Sequence, residues 1–339
     1  MRVLAALSGG VDSSVAAAVL LAEGHDVVAV TMKLWGGAQD SGCCSVGDVE
    51  DARRVAQQLG IAHHVFNFTD EFDMHVVAPY ADAHAAGRTP NPCVDCNRHL
   101  KFDRLLRRAD QLRFDAVATG HYAQVTADHR LLRGADASKD QSYVLYALTP
   151  AQLRRVCFPI GHLAKDEVRR RAGALGLRTA GKAESQDTCF VTASGGRVQF
   201  LGDRIDLHPG RVVDATGTEV GRVPAIELIT VGQRRGLGGG ARERQYAVAV
   251  DVPTRTVRVG GLDELGTARV ELDYLTWTSG GAPRAGAVVT VQASAHGPAL
   301  AARWDGEAVC YDRPARRPAP GQALVVYDGD EVLGGGTVR

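Results

Sequence analysis

The stretch that decides the fold is Ser8-Gly9-Gly10-Val11-Asp12-Ser13-Ser14. It follows an apolar run at 3–7, which predicts a buried strand, and it opens a segment at 13–22, whose composition predicts a helix. Two glycines allow close approach of the backbone to an anion, and the N–H groups at a helix N-terminus favour negative charge. The stretch therefore predicts a phosphate-binding loop, with Asp12 placed to hold a divalent ion. It has the spacing of neither a Walker A loop nor a dinucleotide fingerprint.

Strands and helices continue to alternate after this loop. Residues 27–32, 64–68 and 116–119 read as short apolar strands, and 49–59 and 100–112 read as helices. Alternation of this kind predicts an α/β fold with a doubly wound parallel sheet.

The pattern changes near Gly195-Gly196, beyond which strand-like pieces recur at turn spacing. Pieces at 210–214, 226–231, 245–251 and 256–259 predict a small, mostly β central domain. Five further short strands between 288 and 333 predict a closed β-barrel. The expected domains are 1–195 (α/β), 196–265 (central, mostly β) and 266–339 (C-terminal β-barrel).

Charge and cysteine content limit the functional classes. The 339 residues carry 39 Lys+Arg and 39 Asp+Glu, so any polyanion would have to meet a local basic surface. Five of the basic residues are lysines, which leaves 34 arginines. Seven scattered cysteines do not form a secreted disulfide framework, and neither a membrane-spanning run nor a signal segment is evident. A cytoplasmic protein without membrane partners is expected.

The cysteines at Cys93, Cys96 and Cys189 have three interpretations. They are buried small hydrophobes, or ligands of an iron–sulfur cluster or zinc, or partners in sulfur transfer. Sulfur transfer is the reading that also uses a nucleotide site. Cys96 is expected at the N-terminus of a helix starting near Asn97, where the helix dipole stabilises a thiolate.

Together these motifs make the chain resemble the tRNA-specific 2-thiouridylases, which belong to the ATP pyrophosphatase superfamily. The resemblance covers essentially the whole chain. It rests on these ordered motifs: Ser8 to Ser14, Met32-Lys33-Leu34-Trp35, Gly87-Arg88-Thr89-Pro90-Asn91-Pro92, Cys96-Asn97, Lys101-Phe102, Ala118-Thr119-Gly120-His121-Tyr122, Lys139-Asp140-Gln141-Ser142-Tyr143, Glu184-Ser185-Gln186-Asp187 with Cys189-Phe190, and Thr230-Val231-Gly232-Gln233-Arg234-Arg235-Gly236-Leu237.

The resemblance implies an ATP-dependent, AMP-forming tRNA-uridine 2-sulfurtransferase. Its catalytic domain would be 1–195, its central adaptor domain 196–265, and its tRNA-binding β-barrel 266–339. The wobble uridine would be adenylated at its C2 oxygen and would then take sulfur from a cysteine persulfide, giving 2-thiouridine, AMP and pyrophosphate. Mg²⁺ would accompany ATP. A cysteine desulfurase or sulfur-relay protein would supply sulfur, and a reductant would reset a transient Cys96–Cys189 disulfide.

The resemblance also implies residue roles. The nucleotide would be bound by Ala6, Leu7, Ser8, Gly9, Gly10, Val11, Asp12, Ser13, Met32 and Gly120. The catalytic cysteines would be Cys189, the persulfide carrier, and Cys96. The tRNA contacts would be Asn91, Pro92 and Cys93 at the target base, with His121, Lys139, Asp140, Gln141 and Gln322. No resident metal is assigned, and an iron–sulfur cluster at Cys93, Cys96 and Cys189 is the alternative.

Two positions depart from the family pattern. Many relatives have Asp at the position of Cys93, so the general base is unassigned here, with Asp95 the nearest carboxylate. Relatives commonly carry an RNA-contacting Arg in the segment aligned with 291–297, where this chain has Ser294 with His296 nearby. An ATP-dependent amide-forming ligase and a non-catalytic RNA-binding protein are the other functional classes.

Overall fold

The computed structural model describes residues 1–35, 46–183, 189–192, 196–238 and 244–339, apart from the side chains of residues 189 and 192. Within these ranges the strands form three sheets. No helix of the described residues is long and apolar enough to cross a membrane.

The first sheet is parallel, in the order β3-β2-β1-β4-β7, which confirms the predicted doubly wound α/β fold. Apolar residues on both faces are buried, as expected for a sheet covered by helices on each side. Its strands are β1 (Arg2–Ala6), β2 (Asp26–Lys33), β3 (His63–Asn67), β4 (Ala116–Ala118) and β7 (Val156–Cys157).

Ten α-helical segments occur in the described residues. They are α1 (Val11–Ala22), α2 (Val46–Leu59), α3 (Thr69–Phe72), α4 (Ala78–Ala85), α5 (Pro92–Asp95), α6 (Leu105–Gln111), α7 (Pro150–Leu153), α8 (Lys165–Ala174), α9 (Cys189–Thr192) and α10 (Arg197–Gly202). Two π-helices span Asp73–Val77 and Cys96–Arg104. Short 3₁₀ turns span Ser142–Leu145, Arg178–Gly181, Ile226–Leu228 and Asp263–Leu265.

The candidate site lies where the strand order of the parallel sheet reverses. The chain runs outward from β1 through β2 and β3, and then returns to the other side of β1 with β4. In open α/β sheets, ligands bind at the carboxyl ends of the strands at such a point. The predicted phosphate loop follows β1, and Gly120 follows β4, so both lie at this crevice.

The second sheet has the order β10-β11-β8-β9. Its strands are β8 (Gly210–Val213), β9 (Glu219–Val223), β10 (Tyr246–Asp251) and β11 (Thr256–Gly260). The strand predicted at 226–231 is wrong, because Ile226–Leu228 form a 3₁₀ turn and residues 229–231 form no strand. Ile226 and Ile229 both enter the core, and their spacing of three suits one face of such a turn.

The third sheet contains the predicted barrel, with six strands in the described residues instead of five. The long strand β12 pairs with both β15 and β17 and closes the barrel. The strands are β12 (Gly266–Trp277), β13 (Ala287–Gln292), β14 (Leu300–Trp304), β15 (Ala308–Arg316), β16 (Ala323–Asp328) and β17 (Glu331–Val338).

A hairpin from the N-terminal half joins this barrel sheet. Strands β5 (Ala123–Val125) and β6 (Leu131–Arg133) pair with each other, and Leu132 of β6 faces Glu331 of β17. The sequence analysis did not predict this hairpin. It ties the parallel-sheet region to the barrel through backbone pairing.

Candidate active site

The phosphate loop has the predicted geometry. Gly10 caps α1, and the Ser14 hydroxyl donates to its carbonyl at 2.7 Å. Gly9 has φ of +71°, and a Cβ there would lie 2.4 Å from the Asp48 carbonyl oxygen, so glycine is required. The loop therefore presents its N–H groups at the start of a helix, as an oxyanion cradle needs.

A cavity of about 290 Å³ lies over this loop, near the lower end of the range of roughly 300–1,000 Å³ typical of small-molecule sites. The structure brings nearly all the predicted nucleotide residues to its wall. These are Ala6, Leu7, Ser8, Gly10, Val11, Asp12, Ser13, Met32 and Gly120, while Gly9 packs beneath on Asp48.

Lysines give this cavity its charge. Lys101, Lys139, Lys165 and Lys182 line it, whereas Lys33 is exposed at the end of β2 and does not. Among the described residues of the lining there is no arginine, although arginines outnumber lysines 34 to 5 in the chain. A lysine ammonium is a compact point charge that moves readily between partners, unlike the rigid guanidinium fork.

Asp12 forms an ion pair inside the cavity. Lys165 Nζ donates to both carboxylate oxygens at 2.8 Å, and the Tyr122 hydroxyl donates to Oδ1 at 2.7 Å. Lys165 is 7% exposed, so solvent screens this pair weakly. The carboxylate thus anchors a buried ammonium beside the phosphate loop.

Lys182 makes a second anchor on the other side of the loop. It donates to the Gly9 carbonyl at 3.0 Å, to Asp48 at 2.7 Å and to Asp51 at 2.8 Å. Burial lowers the pKa of Lys182, but the two carboxylates outweigh burial and raise it overall. This lysine is charged and clamps the loop against α2.

Gly120 and His121 close the cavity from β4. A Cβ on Gly120 would lie 2.6 Å from Ser13 N, so a larger residue would displace the loop. His121 is 8% exposed, and its Nδ1 lies 2.6 Å from the Thr119 hydroxyl. Burial holds the pKa of His121 well below its usual range, with a contribution from Lys101, so the ring is neutral.

The cysteine segment differs from the sequence expectation. The chain is helical from Pro92, with Asn91 as N-cap accepting from Cys93 N at 3.1 Å. Cys93 therefore lies in the first turn, and Cys96 begins the following π-helix Cys96–Arg104. The prediction that Cys96 sits at a helix N-terminus is wrong, because Pro92 is at the favoured N1 position and starts the helix earlier.

The π-helix connects the cysteine to the cavity. Cys96 stands at its first position, and Lys101, little more than one turn later, lines the cavity. Burial raises the pKa of Asp95, between the cysteines, to about 6, and Arg98 opposes this rise. A carboxyl group with this pKa exchanges its proton near neutral pH.

Cys189 opens α9, and its side chain lies outside the described residues, as do residues 184–188. The next residue, Phe190, is buried in an aromatic cluster. Its ring centroid lies 5.5 Å from that of Phe72, 5.6 Å from Tyr80 and 5.0 Å from Phe200. Phe190 thus belongs to the same core cluster against which Cys96 packs.

The loop before the cysteines is held by residues from the later parts of the chain that carry the other two sheets. Thr89 N donates to the Pro320 carbonyl at 2.8 Å, Gln322 Nε2 donates to the Thr89 carbonyl at 2.5 Å, and the Thr89 hydroxyl donates to Thr230 at 3.1 Å. Gln322, predicted as a tRNA contact, thus bonds to the cysteine loop in this structure. The three parts of the chain meet at Thr89.

The predicted tRNA segment Lys139-Asp140-Gln141 separates two cavities. Lys139 and Gln141 line the nucleotide cavity, whereas Asp140 lines a cleft of about 820 Å³ between the hairpin and the barrel. Asp140 accepts from Arg133 at 2.9 Å and from the N–H groups of Gly134 and Ser142. His296 also lines that cleft.

Sequence reasoning missed Lys165, Lys182 and Tyr122 as site residues. The signal that could have found the lysines is their rarity, since four of five converge on one cavity. Tyr122 follows Gly120 and His121 in a family motif, which was a signal for a site role, although no local pattern links its hydroxyl to Asp12, 110 positions away.

Two cofactor expectations were tested against these residues. Mg²⁺ takes one or two carboxylates together with substrate phosphates, and Asp12 and Asp48 line the cavity, so the donor chemistry fits. No group of three or more His, Cys, Asp or Glu side chains poised to hold a metal occurs among the described residues. The iron–sulfur alternative depends on the side chain of Cys189, which lies outside them.

Comparison with known proteins gives matches over nearly the whole chain. The family model described as tRNA methyl transferase HUP domain matches residues 1–193, and that described as aminomethyltransferase beta-barrel domain matches residues 271–338. A crystal structure of a 4-thiouridine synthetase–RNA complex with bound ATP is 20% identical with a TM-score of 0.39, covering 57% of this chain and 46% of that chain.

Curated relatives are closer. The chain is 45% identical over 368 residues to the tRNA-specific 2-thiouridylase MnmA of Roseiflexus sp. (strain RS-1), with 99% of each chain covered. It is 46% identical over 356 residues to the tRNA-specific 2-thiouridylase MnmA of Mycolicibacterium gilvum (strain PYR-GCK), with 100% of this chain and 99% of the relative covered. These identities, over the full length of both chains, show that this chain belongs to the tRNA-specific 2-thiouridylase family.

Proposed function

We propose that this protein uses ATP to replace the C2 oxygen of the wobble uridine of tRNA with sulfur, giving 2-thiouridine, AMP and pyrophosphate. Family membership supports the reaction class. The observation that carries the proposal is the lysine-lined cavity over the phosphate loop, joined by one helix to Cys96. An amide-forming ligase would use the cavity and would have no need of the cysteines or the barrel.

The first step is adenylation. Oxide is a very poor leaving group, so the C2 oxygen attacks the α-phosphorus of ATP and pyrophosphate departs. The loop N–H groups and Lys165 are placed to stabilise negative charge on the departing phosphates. Mg²⁺, when bound near Asp12 and Asp48, would supply further charge neutralisation.

The second step is sulfur transfer, and the two cysteines supply the electrons that it needs. The outer sulfur of a Cys189 persulfide attacks C2, AMP leaves, and Cys96 thiolate attacks Cys189 Sγ, which releases thiouridine and leaves a Cys96–Cys189 disulfide. Alternatively, Cys96 attacks first and the released hydrosulfide displaces AMP. In both routes the two cysteines give two electrons to the outer sulfur and become a disulfide. A dithiol reductant must then reduce this disulfide.

Cys93, Asn91 and Pro92 are proposed to lie against the target base, since they form the helix start next to Cys96. The base must leave the anticodon stack, which costs least in a loop. A cysteine desulfurase or relay protein would load Cys189. We infer a cytoplasmic site of action, where tRNA and thiol reductants are present.

The test is thiolation of unmodified tRNA by purified protein with ATP, Mg²⁺, a persulfide donor and a reductant. Cys189→Ser and Cys96→Ser should abolish 2-thiouridine formation and keep tRNA-dependent ATP–pyrophosphate exchange. Cys310→Ser is the matched control, because this cysteine lies on barrel strand β15 and contacts Asp305. Normal thiolation by the Cys189 or Cys96 variant would overturn the proposal.

An iron–sulfur site would give a different result. Anaerobically purified protein would then contain iron and labile sulfide, both lost in Cys93→Ser. A metal-free preparation with full thiolation activity would support the persulfide route.

A further inference from the structure

The backbone of Tyr274 is strained in the barrel wall. Its φ is +52°, a region that bulky L-residues rarely occupy. Among the described residues, four non-glycine residues have positive φ, and Arg113, His129 and Arg255 lie in turns while Tyr274 lies within strand β12. Glycine occupies the left-handed positions elsewhere in the barrel, as at Gly321 and Gly329.

A β-bulge produces this conformation. Asp273 faces Thr337 and Thr276 faces Gly335, so β12 has one residue more than β17 in this interval. Such bulges re-aim side chains and are frequent near functional sites. Here the extra residue turns the Tyr274 ring outward.

Burial of the Tyr274 ring does not compensate for this backbone strain. Tyr274 is 73% exposed, and Leu275 next to it is 40% exposed. A strained backbone that holds an aromatic ring in solvent is destabilising, and such outliers point to a functional use.

The bulge lies beside the π-helix Cys96–Arg104. Arg98 Nη2, two residues after Cys96, donates to Thr276 Oγ1 at 3.4 Å. The Arg98 guanidinium also lies 6.0 Å from the ring centroid of Tyr146, which packs against Gly335. At about 3.4 Å per residue, Tyr274 stands roughly 7 Å along the strand from this contact.

We propose that Tyr274 is a stacking platform for an unpaired nucleobase of the RNA substrate, next to the base that reacts. The inference rests on the proposed function and adds to it. Loop nucleotides with unstacked bases are recognised by stacking on aromatic side chains. Asp273 accepts from Arg339 at 2.6 Å, which neutralises the carboxylate adjacent to the ring.

Tyr274→Gly affects the backbone strain and the RNA contact in measurably different ways. Glycine adopts positive φ without strain, so the variant should raise Tm by a few degrees. It also removes the ring, so Kd for tRNA should rise by about five- to 150-fold, the equivalent of roughly 1–3 kcal/mol per stacked base. Tyr274→Phe keeps the ring and should bind like the original protein. The salt dependence of binding should be unchanged, because no phosphate contact is lost.

Arg255→Gly is the matched control. Arg255 also has φ of +52° but lies in a turn of the central domain, so its variant should gain stability with no change in tRNA affinity.

Unchanged tRNA affinity in Tyr274→Gly would overturn the inference, and slowed sulfur delivery with unchanged affinity would assign the bulge to a sulfur-donor protein instead. A fall in Tm would overturn the strain argument. Failure of the proposed function is separate, since the original protein would then form no 2-thiouridine.

Discussion

The nucleotide cavity and the cysteine segment are built in opposite ways. Around the phosphate loop the buried and half-buried charges are matched, with Asp12 held by Lys165 and Asp48 by Lys182. Around the cysteines, burial raises the pKa of Asp95, and the loop at Thr89 is held by a few hydrogen bonds with Thr230, Pro320 and Gln322. The difference indicates a preorganised, charge-lined cavity beside a segment that depends on its neighbours for its position.

The strongest test of the matched charges is Lys165→Met. Removing a preorganised charge from a developing anion costs about 10²–10³ in rate, so tRNA-dependent ATP–pyrophosphate exchange should fall by that factor. Pyrophosphate and ATP affinity should fall with it while AMP affinity stays, as measured by calorimetry.

Lys33→Met is the control for this prediction, because Lys33 is exposed outside the cavity. Equal losses of AMP and pyrophosphate binding in Lys165→Met would mean that Lys165 only maintains the structure of the loop.

The raised pKa of Asp95 predicts a pH-dependent stability. Burial lifts its folded pKa to about 6 from 3.8, so its contribution to stability is complete below pH 3.8 and is lost as pH rises through 6. Asp95→Asn removes the ionisation, and it should stabilise the protein at pH 7.5 by roughly 1–2 kcal/mol.

The measurement is the Tm of both proteins from pH 4 to pH 8. Their difference should grow from pH 4 to about pH 6 and then level off. A difference that stays constant over it would show that Asp95 ionises in the folded protein as freely as in water.

The smallest expected effect comes from the contact between barrel and cysteine loop. Gln322→Ala removes the donor to the Thr89 carbonyl. A net hydrogen bond contributes about 0.5–1.5 kcal/mol, which corresponds to a two- to twelvefold change in a rate. Thiolation rate should fall by this factor, while ATP binding without tRNA stays unchanged. Equal loss in both assays would place Gln322 in the general stability of the fold.

The sequence predicted features that neighbouring residues form and missed features that are assembled from distant parts of the chain. The phosphate loop is a continuous motif between a strand and a helix, so its structure follows from neighbouring residues. The lysines and Tyr122 reach it from distant elements, and no local pattern records that convergence.

Similar limits explain the missed strands. Strand β12 has buried residues only at Val270 and Leu272 and has a bulge after Asp273, so the period-two pattern extends over too few residues to stand out. The hairpin β5–β6 has three-residue strands, too short to stand out without their partner in the barrel. The position of Cys96 was misjudged because Pro92 was read as a loop residue instead of a helix start.

The bond between Gln322 and Thr89 has a consequence for synthesis on the ribosome. It joins residues 233 positions apart, so the cysteine loop emerges long before the partner that holds it. At about 5–20 residues per second, this interval lasts roughly 10–50 seconds. The nascent chain can form the loop at 8–14 early, but the segment that carries Cys93 and Cys96 gains its final support only when the barrel has been translated, so these thiols reach their final position when the chain is nearly finished.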